Sequence, residues 1–194
     1  MTSRRSLTTL VLPILVGIAL LATPAAATVA LHLDDTQQAE RSDLVVLATV
    51  RTQKVVRGED GRPYTHTTLE VERALKGKVA ARARVVVRQM GGTLDGKTLR
   101  IPGDAEFVPG ERVVTFLADR EPSSGVVFLT ALGQSKLTIV GTATGGDLLL
   151  LRSQEGLLLL DPKQQAIRPE STVTLGVLEA AVKATVKATG EVQQ

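Results

Sequence analysis

The stretch from Asp43 to Gly77 constrains the fold of this chain more than any other. Leu44 to Val50 is almost unbroken apolar sequence, rich in β-branched residues. So short a run, bounded by polar residues, suits a strand buried on both faces better than a helix. From Tyr64 to Leu75 the pattern alternates, with Thr67, Leu69 and Val71 on one side and Thr68, Glu70 and Glu72 on the other. That period of two predicts a strand with one solvated face. Between them, Arg57-Gly-Glu-Asp-Gly-Arg-Pro63 carries two glycines and a proline, which suits a chain reversal. A long antiparallel hairpin is the expected centre of the fold.

Strand signals continue downstream. Arg84–Met90, Lys97–Ile101, Val113–Leu117, Val126–Leu132 and Lys136–Val140 read as strands, punctuated by Gly91-Gly92, Asp95-Gly96, Pro109-Gly110 and Gly133. Leu148–Leu151 and Leu157–Leu160 flank Arg152–Gly156 and are expected to form one compact hairpin. It must be paired or covered, because so leucine-rich an edge would be adhesive if open. Two segments are read as helices. Asp34–Arg41, acidic at its start and basic at its end, suits a short surface helix. Leu175, Leu178, Val182 and Val186 recur at helical spacing, with Thr174 placed to cap the start and Gly190 the end. Many strands followed by one helix predict a mainly β fold: an antiparallel OB-like barrel or sandwich with a short N-terminal helix and a C-terminal amphipathic helix.

The first 27 residues read as a cleaved signal peptide. Arg4 and Arg5 form a positive n-region, Leu7–Leu21 an apolar core, and Ala25-Ala26-Ala27 a small-residue cleavage pattern. The core falls short of the roughly 20 residues a spanning helix needs. Residues 28–194 are then one β-rich domain, exported to the periplasm or cell exterior and expected to be a monomer. Of 23 Lys and Arg against 20 Asp and Glu, Arg4 and Arg5 leave with the leader, so 21 face 20. That balance gives no global reason to expect nucleic acid as a partner. The chain has no cysteine. This excludes disulfides, thiolate metal sites and a cysteine nucleophile.

Several segments together suggest relatives. Ser42-Asp43-Leu-Val-Val, Glu70-Val-Glu-Arg-Ala-Leu-Lys-Gly77, a Val strand ending in Gly91-Gly92, Phe107-Val-Pro-Gly-Glu-Arg-Val-Val-Thr-Phe-Leu117 and Gly133-Gln-Ser-Lys-Leu137 follow in order. Over roughly Leu31 to Val186 the chain resembles a group of exported bacterial proteins of unknown function. Residues 43 to 117 are similar to bacterial netrin-like domains, the fold of tissue inhibitors of metalloproteases. That resemblance implies an OB-like five-stranded barrel. The inhibitors place a zinc-chelating terminus with an N-terminal cysteine and disulfides, so their mechanism does not carry over to a chain without cysteine.

Chemistry-bearing patterns are sparse. His32 and His66 are the two histidines, and a metal site would need them to meet, joined by Asp34 or Asp35. Glu70 and Glu72 share a strand face, as alternation on any solvated strand would place them. No Gly-x-Ser-x-Gly elbow appears. Lys76, Lys78, Arg82, Arg84 and Arg88 form a basic stretch, read as a solvated strand edge because no aromatic lies between Tyr64 and Phe107 to stack bases. Gly91-x4-Gly96-Lys97-Thr98 has the spacing of a phosphate-binding loop. That loop must open a helix, and Pro102 would break one there. The expectation is therefore a non-catalytic binding or scaffolding module of the cell envelope, without cofactor or metal. Gly91, Gly92, Gln134 and Lys136 are its candidate loop contacts with a partner protein or envelope polymer. The alternative is an envelope enzyme or enzyme inhibitor using loop carboxylates and His66.

Overall fold

The computed structural model describes residues 27–191. The expected leader lies outside them, Ala27 apart. The central hairpin forms as the pattern predicts. β2 (Leu44–Arg57) and β3 (Pro63–Lys76) pair antiparallel along their whole length, with three register shifts that bend the ribbon. β4 (Arg84–Met90) pairs with β3 on the far side. β7 (Arg112–Ala118) pairs with the first half of β2, and β9 (Lys136–Thr142) with β7. β10 (Leu148–Arg152) and β13 (Thr172–Thr174) complete the sheet in the order β13-β10-β9-β7-β2-β3-β4. The two-residue β8 (Phe128–Leu129) also pairs with β7.

The fold is thus mainly β with an antiparallel main sheet. It is not a closed barrel, because β4 and β13 are the ends of the strand order. The β4 end comes close to closure. Val87 bridges Val127, just before β8, and Val127 N–H donates to Val86 O at 2.9 Å.

Both faces of the sheet's middle are buried, as the unbroken apolar run of β2 requires. Val45 and Leu47 of β2 and Val114 and Phe116 of β7 point to one side. There they meet Leu175, Leu178 and Val182 of α2 (Leu175–Glu191) and Ala39 of α1 (Asp35–Arg41). Val46, Ala48 and Val50 point to the other side, where the curl of β3, β4, β7 and β8 encloses them with Leu69, Val87, Phe107 and Leu117. Each fully buried large apolar side chain contributes about 1.5–3 kcal/mol of transfer free energy.

Thr28–Leu31 forms strand β1, which the sequence did not mark. Four local expectations need correction. The two leucine runs do not form one hairpin. β10 joins the main sheet, while β11 (Leu157–Leu160) pairs parallel with β1 and antiparallel with β12 (Ala166–Ile167). The buried Arg152 ends β10 by binding inward to Gln134 O (2.9 Å) and to Asp35. α1 is capped by Asp34 and Gln37 as its sequence allows, yet Gln38 and Ala39 are wholly buried against its neighbours. Gly190 does not end α2, which runs on to Glu191, and Val186 is half exposed. Finally, Val126–Leu132 forms only β8 and the Val127 bridge before a 3-10 turn at Leu132–Ser135. Among the described residues no helix is long and apolar enough to cross a membrane.

Candidate functional site

A cleft of about 970 Å3 opens beside the bent end of the central hairpin. Gln53, Val55 and Thr65 form one wall, from the inward face of β2 and β3. The hairpin of β5 (Gly92–Leu94) and β6 (Lys97–Leu99), with the return through Arg100–Phe107, forms a second. Lys136 and Thr138 of β9, Leu151 of β10 and the Ser153–Leu157 turn close the third side.

Glycines set how closely these segments approach. Gly91 and Gly92 both have positive φ, +120° and +125°. A Cβ on Gly92 would lie 2.8 Å from Val55 Cγ2, and one on Gly91 would lie 2.9 Å from Leu99 O. Only glycine lets the chain leave β4 and fold back over β2 and β3 at this spacing. Gly103, Gly133 and Gly156 meet at the opposite side. Gly133 N–H donates to Gly103 O at 3.0 Å, and a Cβ on Gly156 would lie 2.7 Å from Gly103 N.

Lys136 supplies the cleft's buried cation. Its ammonium lies 2.7 Å from Glu111 Oε2, donates to Glu106 O, and stands 5.2 Å from the centroid of the Phe107 ring. Asp104 supplies a half-buried carboxyl. Burial pushes its pKa above the ordinary aspartate value, and hydrogen bonds from the Gln89 side chain and Ala105 N–H oppose that shift. Gln89 Nε2 also donates to Ala105 O at 2.8 Å, tying β4 to the returning loop. Arg100 and Glu106 pair at the exposed mouth.

Three of the four residues expected to contact a partner, Gly91, Gly92 and Lys136, therefore line one cleft although they lie far apart in sequence. Gln134 does not line it, and the Gly133–Lys136 segment is not an exposed loop. Gln134 is 2% exposed. Its Oε1 accepts Leu33 N–H and its Nε2 donates to Leu31 O, both at 3.1 Å. Glycine and short polar residues between apolar strands read as a surface loop, but here they pack beneath the exit of β1.

The remaining candidates lie elsewhere. Neither His32 nor His66 lines the cleft. No group of three or more His, Asp or Glu side chains among the described residues is placed to hold a metal ion. Glu70 is bridged by Arg51 at 2.8 and 3.1 Å, and Glu72 by Arg112 at 2.7 and 3.0 Å. Those hydrogen bonds hold both carboxyls below the usual glutamate value, with burial acting the other way, so both are ionised ion-pair members. The phosphate-loop spacing falls on the β5–β6 hairpin, whose turn residues Asp95 and Gly96 have positive φ, and no helix follows it. Asp104, Gln89 and Phe107 were not singled out by sequence reasoning. Pro102-Gly103-Asp104 carried only the signal of a strand end. No family model, no curated protein and no solved structure matches this chain.

Proposed function

We propose that this protein is an exported, non-catalytic binding module of the cell envelope, and that a segment of a partner protein or envelope polymer occupies the cleft. The observation that carries the proposal is the convergence of Gly91, Gly92 and Lys136, from two separate regions of the chain, on a cleft of about 970 Å3. Sites for ligands are typically concave, with apolar walls and a few fixed polar groups. Val55, Phe107 and Leu157 supply apolar wall here, and Lys136, Asp104 and Gln89 supply polar groups already oriented by hydrogen bonds or ion pairs. The OB-like kinship belongs to the same proposal. It is supported by the curl of β2, β3, β4, β7 and β8 around one core, and by the strand end at Lys76-Gly77. The enzymatic alternative draws no support from His66, which stands outside the cleft.

Site-specific photocrosslinking tests this reading. A photoreactive residue at Thr98, exposed on the cleft wall, should capture a defined species in the native envelope. The same group at Val177, exposed on α2, should not. Adding Ser153→Trp should abolish capture from Thr98 by filling the cleft. Equal capture from both positions, or capture indifferent to Ser153→Trp, would refute the site.

A further inference from the structure

The three strands that wall the cleft carry a different chemistry on their outer face. In register across β2, β3 and β4 stand Lys54, His66 and Arg88. Lys54 and Arg88 are cations on either side of His66, two strands and about 10 Å apart. Elsewhere the strand arginines meet acids: Arg51 pairs with Glu70, Arg57 with Asp95, Arg73 with Glu179 and Arg112 with Glu72. This row contains no carboxylate. Its nearest is Glu121, from the loop between β7 and β8, whose oxygen lies 3.9 Å from Arg88 Nη1.

The row is also held in place with its polar groups unspent. The Arg88 guanidinium lies over the Tyr64 ring, 4.0 Å from its centroid. Stacking of this kind fixes the plane of the guanidinium. His66 Nε2 and Arg88 Nε are buried and have no hydrogen-bond partner among the described residues. Lys54 is exposed and takes part in no ion pair among them. Arg84 lies on the same face of β4, four residues and roughly 13 Å from Arg88, in register with Glu70, whose carboxylate Arg51 holds.

We propose that the Lys54–His66–Arg88 row binds an oxyanion group, phosphate, sulfate or carboxylate, of a polymer whose repeated charges continue along the strand to Arg84. A bound oxyanion offers acceptors to the ammonium and guanidinium donors on either side of His66. A chain of such groups gains from each further contact, which a single free ion does not. The site stands back to back with the cleft and does not use it.

The three elements around His66 also set a pH dependence. Burial, then Arg88 from β4, then Lys54 from β2, hold its imidazole below the ordinary value, with Glu121 behind Arg88 as the nearby counter-charge. A bound anion favours the imidazolium. Binding therefore strengthens as pH falls through the His66 pKa, and bound polymer raises that pKa in return.

Nuclear magnetic resonance of the isotopically labelled protein decides this, with inorganic phosphate and dextran sulfate as probes at about pH 7.5 and about pH 5, the lower set well under the ordinary imidazole value because His66 is held beneath it. His66 ring resonances and the Thr65–Thr67 amides should move with both probes. Dextran sulfate should bind at least about tenfold tighter per anionic group than phosphate, from linked contacts. Dextran sulfate, whose charge is constant over this range, should bind more tightly at the lower pH. Lys54→Glu, at an exposed position, should weaken binding roughly tenfold without lowering the melting temperature. Lys183→Glu on α2 should leave binding unchanged. Equal affinity for phosphate and dextran sulfate would overturn the polymer. Unmoved His66 resonances, or equal effects of the two lysine variants, would overturn the site.

Discussion

Replacing Gln134 by methionine keeps most of the side-chain volume and removes both of its hydrogen bonds. Two backbone groups lose their partner: Leu33 N–H and Leu31 O, each at 3.1 Å. They are not equivalent. Leu33 is 5% exposed, so its amide cannot turn to water, whereas Leu31 is 44% exposed and its carbonyl can. A lost hydrogen bond whose partner is rehydrated costs about 0.5–1.5 kcal/mol, and a buried orphan about 1–3 kcal/mol. The sum is about 1.5–4.5 kcal/mol. Urea unfolding measures it, and with a slope near 2 kcal/mol/M the midpoint should fall by about 1–2 M. Gln134→Ala should cost more, because it adds a cavity to the same two losses. Amide exchange at Leu33 should quicken in both variants beyond the global change. A methionine variant within about 0.5 kcal/mol of the parent would refute the argument, since it would mean that the two bonds contribute nothing net.

Two further outcomes follow from packing and titration. Leu178 is wholly buried between α2 and the sheet, so Leu178→Ala should destabilise by about 2–5 kcal/mol. The exposed Lys183, 3.7 Å from Glu179, should lose only a few tenths as alanine, and equal urea midpoints for the two variants would contradict the packing. Asp104 has a folded pKa raised by burial, so its ionisation opposes folding. Its penalty is absent below the ordinary aspartate value, grows as pH rises through the raised value, and is complete above it. Asp104→Asn keeps an acceptor for Ala105 N–H and should therefore be more stable than the parent at neutral pH and no more stable at low pH. A variant equally or less stable at neutral pH would sink the assignment.

The sequence carried the architecture wherever periodicity was local. The buried pair of faces on β2, the alternation of β3 and the stripe of Leu175, Leu178 and Val182 could all be read from spacing alone. Pairing between distant segments could not. Leu148–Leu151 and Leu157–Leu160 have the same composition, and nothing local says that one joins Ile139 while the other joins Val29. The same limit applies to the cleft. Gly91, Gly92 and Lys136 stood out as polar or glycine interruptions of strands, but that signal also marked Gln134, whose partners lie about a hundred residues away. Asp104 gave no signal, because its altered acidity comes from burial that only the tertiary fold creates.

The parallel pairing of β1 with β11 has a kinetic consequence. Thr28 to Leu31 find their partners at Leu157 to Leu160, so the first strand of the domain waits for one of the last. Closing so long a loop is entropically slow, and contacts of high sequence separation delay folding. The two-faced core of β2, β3 and β7 needs none of these residues and can assemble first. We predict that β1 docks late in folding, with Gln134 fastening it as it arrives. Pulse-labelled hydrogen exchange during refolding should find the amides of residues 28–33 protected after those of residues 45–50. The reverse order would show that the amino-terminal strand helps to nucleate the fold.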